Sequence, residues 1–275
     1  MNLVHLTAST FFGGPERQML GLASAFPSSV DSVYLSFPEG GNCQAFLQRG
    51  FRAESLDSDF PKIKQTIRSL IRLLQSYQAD ALISHGYKAN ILGRIAARKL
   101  GIPVVGVSRG WTSENLKVRA YEMLDKIHLR WLDRVVCVSE GQARKVRRVG
   151  VAPKKLRIIR NAARPELFTL DPTRSRNTLQ NLAQHSGPIV VSAGRLSPEK
   201  GYPVLVEAAS LVVRSNPKVR FLHFGEGVLR EPIQKRIQEL GLGEHFHLLG
   251  YRSDLDTLIG GADVFCLPSF TEGLP

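Results

Sequence analysis

Two cations five positions apart, Arg195 and Lys200 in Gly194-Arg195-Leu196-Ser197-Pro198-Glu199-Lys200-Gly201, follow the apolar run Ile189 to Ala193. A guanidinium fork and an ammonium point charge in one loop ahead of a helix can clamp a diphosphate, because the helix start adds partial positive charge of its own. A second apolar run, Arg220 to Phe224, is followed by Gly225-Glu226-Gly227, where glycines let backbone amides approach a phosphate or a base. A third run, Asp263 to Leu267, leads into Pro268-Ser269-Phe270-Thr271-Glu272, and a carboxylate there can accept hydrogen bonds from sugar hydroxyls. Singly, each feature has a plainer meaning: a solvated loop charge, a turn glycine, a carboxylate favoured at a helix start. Their recurrence at successive strand ends favours a ligand site, because open parallel sheets bind ligands beyond the carboxyl ends of their strands.

The elements that would position these residues are legible as short apolar runs separated by helix-length amphipathic stretches. Leu3 to Leu6, Val33 to Leu35, Ala81 to Ile83, Val104 to Val107 and Val135 to Val138 predict one set of strands. Between Pro61 and Gln75, Ile63, Ile67, Leu70 and Leu74 form one helical stripe, with Lys64, Arg68 and Arg72 repeating every four residues beside it. A second strand and helix series begins at Gly187. The fold class expected is α/β, with a first domain at 1–163, an interdomain segment without clear apolar period at 164–186, and a second domain at 187–275.

Length and composition narrow the function classes. The 275 residues, 43% hydrophobic and 22% charged, suit a globular chain of two domains rather than a disordered one. No apolar run is long enough to span a bilayer and Met1-Asn2-Leu3-Val4-His5 lacks a signal-peptide pattern, so a cytoplasmic location is expected. Cys43, Cys137 and Cys266 form no CxxC pair and read as buried small hydrophobes in a reducing compartment, with no metal framework. The net charge of +13 is uneven: 28 basic residues face 14 acidic ones up to residue 185, and nine face ten thereafter. Such a field favours an anionic partner.

Taken together, Gly194-Arg195, Glu199-Lys200-Gly201, Phe224-Gly225-Glu226-Gly227, Leu249-Gly250-Tyr251 and Pro268-Ser269 with Glu272-Gly273-Leu274-Pro275 resemble the donor domain of the family 4 nucleotide-sugar glycosyltransferases. The first half is similar to the acceptor domain of that family, with Gly13-Gly14, His85-Gly86, Val138-Ser139 and Asn161. The resemblance implies a GT-B fold of two Rossmann-like domains and a retaining transfer of a sugar from a UDP- or GDP-sugar to a glycan or lipid-linked acceptor, in bacterial-type surface polysaccharide or lipopolysaccharide assembly. It implies that Arg195 and Lys200 hold the diphosphate without a metal, that Gly13 and Gly14 bring a backbone amide and open space beside it, and that His85 lies near the transferred sugar. Glu272 would contact donor hydroxyls, Tyr251 would help shape the base pocket, and Arg109, Ser139 and Asn161 would fall on the acceptor side. No cofactor is implied, the sugar nucleotide being a co-substrate.

This sequence departs from the family pattern in places. A second carboxylate expected eight positions beyond Glu272 lies past the end of the chain, as do the remaining donor-domain elements, so the donor domain reads as incomplete at its C-terminus, and a catalytically silent chain is the alternative. Asn161-Ala162 stands where relatives often have Asn-Gly, and Arg109-Gly110 where they often have His-Gly, leaving Arg109 suited to an anionic acceptor. Rival functions fit less well. The dinucleotide fingerprint fails at Arg230, which takes the place of its third glycine, and the 194–201 loop lacks the Gly-Lys-Ser/Thr ending of a P-loop. Asp254-Leu255-Asp256 reads as a helix start rather than a metal-binding triplet. Arg144-Lys145-Val146-Arg147-Arg148 and Lys154-Lys155 belong to no nucleic-acid module. With Lys64, Arg68 and Arg72 they fit an anionic membrane surface better, on the inner face of the cytoplasmic membrane.

Overall fold

Strands that are apolar on both faces build parallel sheets covered by helices. The computed structural model, which describes residues 1–9, 13–38, 42–59, 61–111, 116–162 and 171–272, carries two such sheets. The chain divides into two units, Met1–Ala162 and Ala163–Gly273.

In the first unit β1 (Asn2–Thr7), β2 (Asp31–Ser36), β3 (Arg52–Ser55), β4 (Ala81–His85), β5 (Val104–Ser108), β6 (Arg134–Cys137) and β7 (Leu156–Ile158) are all parallel, in the order β3-β2-β1-β4-β5-β6-β7. The connecting helices are α1 (Gly14–Ala23), α2 (Asn42–Leu47), α3 (Ile63–Ser76), α4 (Tyr87–Leu100), α5 (Leu116–Leu129) and α6 (Glu140–Arg148). Strand order reverses between β1 and β4, which opens a crevice at their carboxyl ends. Val4, Leu6, Leu82, Leu70, Leu74 and Leu92 fill the core between sheet and helices. The stripe expected along α3 is present, with Leu70 and Leu74 buried and Ile67 packed against the core, while Ile63, at the first helical position, is exposed. Two strands went unseen in the sequence: β3 reads Arg-Ala-Glu-Ser and β7 is three residues long.

The second unit contains α7 (Pro172–Ala183), β8 (Ile189–Ala193), α8 (Tyr202–Ser215), β9 (Arg220–Phe224), α9 (Arg230–Glu239), β10 (Phe246–Leu248), α10 (Leu255–Leu258) and β11 (Val264–Phe265). Its sheet is parallel, in the order β10-β9-β8-β11, and β11 is an edge strand with both side chains exposed. Cys137 is buried as expected, whereas Cys43 and Cys266 are only partly so.

The segment 164–186 is not a featureless connection. Residues 163–170 lie outside those described, and from Asp171 onward the chain is helical and belongs to the second unit. Asp171 caps α7, its carboxylate accepting from the amides of Thr173 (2.9 Å) and Arg174 (3.3 Å), and Pro172 suits the first helical position. Leu179 and Ala183 pack with Ile189, Val191, Leu222 and Leu258. This inward stripe, Ser175, Leu179 and Ala183, holds a single large apolar residue, which is why the period was hidden. Arg176 sews the helix down: it donates to the carbonyls of Gly187 (3.0 Å) and Gly261 (3.2 Å) and pairs with Asp263, which also accepts from the Ile189 amide at 2.6 Å. Arg176→Ala is expected to destabilise the second unit by about 1–3 kcal/mol, leaving Asp263 without its cation. Denaturant unfolding, with the first unit's transition as internal control, measures it.

Candidate active site

The strands flanking the reversal in the second sheet, β8 and β11, lie side by side, so the loops leaving their carboxyl ends meet. Lys200 Nζ donates to Glu272 Oε1 at 2.5 Å, and Ser269 Oγ donates to the same oxygen at 2.6 Å. The Phe270 amide donates to the Glu199 carbonyl at 2.9 Å. Arg195 Nη2 donates to Glu199 Oε1 at 3.0 Å, and Ser197 Oγ reaches that oxygen at 2.6 Å. Each cation of the motif is therefore held by a neighbouring carboxylate at a partly exposed position, where a polyphosphate can compete for it. Gly273, Leu274 and Pro275 lie outside the described residues.

The glycines lock three loops together. Gly194 (φ +154°) and Gly225 (φ +148°) take conformations that disfavour a side chain; a Cβ on the first would strike the Tyr202 hydroxyl, and on the second the Gly194 carbonyl. The Gly194 amide donates to the Phe224 carbonyl (3.0 Å), Leu196 to Glu226 (2.9 Å) and Gly225 to Gly250 (2.8 Å). The Gly225 amide is thus engaged within the protein, and the glycine there serves close loop packing rather than ligand donation. The Gly227 amide has no partner among the described residues. The Glu226 carboxylate accepts from Arg230 at 3.0 Å, and Tyr251 stands exposed after Gly250. Asp254 pairs with Arg252 and begins α10, as the sequence suggested, although its carboxylate caps no amide.

Below this rim lie two polar groups that the sequence did not single out. The Tyr202 hydroxyl and His223 Nε2 are buried without a hydrogen-bond partner, with ring centroids 4.2 Å apart. Ser192 Oγ contacts His223 Nδ1 at 3.0 Å. The available signal was polarity inside apolar strands: Ser192 and His223 sit opposite one another in register on β8 and β9. Burial raises the Tyr202 pKa and pushes His223 down to about 4.

In the first unit His85 and Arg109 come together at the reversal point of the larger sheet, whereas Ser139 follows β6 and Asn161 follows β7. His85 ends β4 beside Thr7 of β1, and the Ala8 amide donates to the His85 carbonyl at 3.2 Å. Arg109 Nη1 donates to His85 Nδ1 at 2.9 Å, which leaves His85 Nε2 to donate to His5 Nδ1 at 3.2 Å. Burial first, then Arg109, holds His85 well below its ordinary pKa and His5 at about 3. Both ring nitrogens of His85 are engaged, so a sugar hydroxyl reaches the imidazole only by displacing one partner. Arg109 Nε is buried and unpartnered, and burial lowers the guanidinium to about 10, still charged at neutral pH.

Gly13 caps α1, its amide donating to Glu16 Oε2 at 3.0 Å, while the position of a Gly14 Cβ faces open space. Ser139 is the N-cap of α6, accepting from the Gln142 amide at 3.2 Å, so the plain structural role is filled. Asn161 is exposed, and Ala162 beside it is tied to α1 by two hydrogen bonds with Gln18, 2.8 and 3.1 Å.

A doubly wound parallel sheet in each of two units, with cations, glycines and a carboxylate gathered at the reversal point of the second, defines a nucleotide-sugar transferase of the GT-B class. Residues 13–162 match the Glycosyl transferase 4-like domain family and residues 174–275 match Glycosyl transferases group 1. The chain belongs to these glycosyltransferases. It is 27% identical, over its whole length and 75% of the relative's, to an Escherichia coli UDP-Gal:alpha-D-GlcNAc-diphosphoundecaprenol alpha-1,3-galactosyltransferase. It is 26% identical, over 75% of its length and 57% of the relative's, to a Campylobacter jejuni N,N'-diacetylbacillosaminyl-diphospho-undecaprenol alpha-1,3-N-acetylgalactosaminyltransferase. Anabaena HepE in complex with UDP-glucose has the same fold, with TM-score 0.86 at 19% identity, covering 98% of this chain and 74% of HepE.

The buried histidines make stability depend on pH. Because His223 titrates at about 4 when folded and 6.5 when exposed, the unfolded chain takes up the proton first. The stability this neutral histidine secures is complete above the unfolded value and lost as pH falls through the folded one. By about pH 4.5 the second unit is expected to lose roughly 2–3 kcal/mol. His5 and His85 act in the same direction in the first unit. Urea unfolding at neutral pH and at about pH 4.5, with His223→Gln flattening the dependence of the second unit, checks this.

Proposed function

We propose that this protein transfers a hexose, with retention, from a UDP-hexose to a diphosphate-linked lipid acceptor in cell-surface glycan assembly. The observation that carries the donor half is the pairing of Lys200 with Glu272, beside Arg195 paired with Glu199 in the same loop, at the carboxyl end of the second sheet. As the bond from the anomeric carbon to the diphosphate breaks, negative charge grows on the leaving group, and cations fixed in advance stabilise it there. Lys200 and Arg195 perform the work that a metal ion does elsewhere, and Glu272, freed from Lys200, turns to the sugar hydroxyls. Gly227 offers an amide, and Tyr251 borders the base.

Retention requires the acceptor hydroxyl to approach from the face the diphosphate leaves, so the groups that hold the leaving group also fix where the acceptor lies. In this reading Gly13 and Gly14 serve the donor diphosphate, His85 the transferred sugar, and Arg109, Ser139 and Asn161 the acceptor, the Arg109 guanidinium being suited to a phosphate. UDP is preferred to GDP because HepE binds UDP and UDP-glucose. The lipid-linked acceptor is supported by the diphosphoundecaprenol substrates named for the relatives. Such an acceptor brings the enzyme to a membrane, in this reading the inner face of the cytoplasmic membrane. In this reading attachment is peripheral; among the described residues no helix is long and apolar enough to cross a membrane.

Calorimetric titration tests the donor site. UDP and its hexose conjugates are expected to bind, and Arg195→Ala or Lys200→Ala to weaken UDP by roughly tenfold or more while affecting UMP much less. Equal losses for UMP and UDP, or none, would overturn the assignment.

A further inference from the structure

Helix α5 is built inside out. Its two described carboxylates, Glu122 and Asp125, are buried, Asp125 accepting from Asn90 Nδ2 at 2.7 Å and Trp111 Nε1 at 3.1 Å. Its large apolar residues face solvent: Leu116 is 81% exposed, Met123 63%, Leu124 48% and Ile127 37%, and Trp131 just beyond the helix is 56% exposed. At 100° per residue these five fall within one stripe about 100° wide, opposite Glu122, Asp125 and the buried Leu129. A lone exposed leucine is unremarkable, but a continuous apolar stripe on a helix whose acids point inward marks a contact surface.

Charge says what the stripe contacts. Arg119, Lys126 and Arg130 follow one border of it by the same helical geometry. Beyond Trp131 a cavity of about 620 Å³ is lined by Arg94, Arg98, Arg130 and Lys155, with Arg94 stacked over the Trp131 ring at 4.9 Å. Among the described residues none of Arg94, Arg98, Arg119 and Arg130 is paired with a carboxylate, whereas Arg72 of α3 is paired with Asp57. Asp133, the acidic residue of the lining, is engaged by the Val104 amide at 2.8 Å.

We propose that this outer face of α5 docks the protein onto an anionic lipid bilayer, with the apolar stripe seated at the headgroup boundary and the flanking cations against lipid phosphates. An interfacial helix needs both parts, apolar depth and a cationic border. Lys64 and Arg68 of α3, and Arg144 to Arg148 of α6, supply exposed charge without an apolar stripe of this length, so they are accessory. In an antiparallel two-fold contact through the stripe the cationic borders of two copies would lie side by side, which disfavours a second copy in that arrangement.

The inference deepens the membrane reading above and is independent of the donor site, which allows the two to fail separately. The test is sedimentation with vesicles of phosphatidylcholine alone or with about a third phosphatidylglycerol, at low and physiological salt. Binding is expected only to the anionic vesicles. The double variant Met123→Asp/Ile127→Asp should weaken it roughly tenfold or more, and Arg119→Glu/Arg130→Glu comparably. All four side chains are exposed, and Arg130 Nε also donates to the Val149 carbonyl at 2.5 Å, so circular dichroism and UDP affinity, both expected to match the parent chain, serve as the check on folding. Three results overturn the proposal: no binding to anionic vesicles at low salt, loss of binding in Lys64→Glu/Arg68→Glu but not in the α5 variants, or a lipid-free dimer that Met123→Asp/Ile127→Asp dissociates.

Discussion

The second unit depends on one constraint, the close backbone approach of the loops after β8, β9 and β10. Gly194 and Gly225 have no room for a side chain, and the amides of Gly194, Leu196 and Gly225 bind carbonyls on the neighbouring loops. With the loops held so tightly, the segment carrying Arg195 and Lys200 has little freedom, and the Phe270 amide fixes the last loop against it. The ion pair of Lys200 with Glu272 then follows from topology, because β8 and β11 are the adjacent strands between which the winding reverses. Fixed dipoles and charges of this kind stabilise a leaving group without reorganising during the reaction.

The first unit solves a different problem, with a positive charge partly withdrawn from water beside neutral imidazoles. Arg109 donates to His85, His85 to His5, and His5 stacks on Tyr34 at 4.8 Å, so the three rings form a stack across β4, β1 and β2. The nearby buried carboxylate, Glu16, is held by Thr7 (3.2 Å) and the Gly13 amide (3.0 Å) and favours the charged state of Arg109 from a distance. That arrangement leaves Arg109 Nε buried without a hydrogen-bond partner.

The alternation of strands and helices was legible because parallel strands are apolar on both faces, and the residues of the proposed donor site stood out because they cluster where strands end. What escaped had little apolar signal. The edge strand β3 is polar, β7 is short, and α7 buries one leucine among serine and alanine, with its attachment made by Arg176. Tyr202 and His223 were hidden because an aromatic at a helix start and a histidine in a strand look like ordinary core until their unpartnered atoms are located. The outward stripe of α5 was hidden because amphipathic spacing identifies an apolar face but not the direction it points; the inward-facing acids reveal that only in three dimensions.

The central claim is that Lys200 exchanges Glu272 for the donor diphosphate. A crystal structure of the protein with a UDP-hexose tests it most directly. Lys200 Nζ and the Arg195 guanidinium are expected within hydrogen-bond reach of phosphate oxygens, with Glu272 released to the sugar hydroxyls. A bound sugar nucleotide elsewhere, with the pair of Lys200 and Glu272 intact, would contradict it.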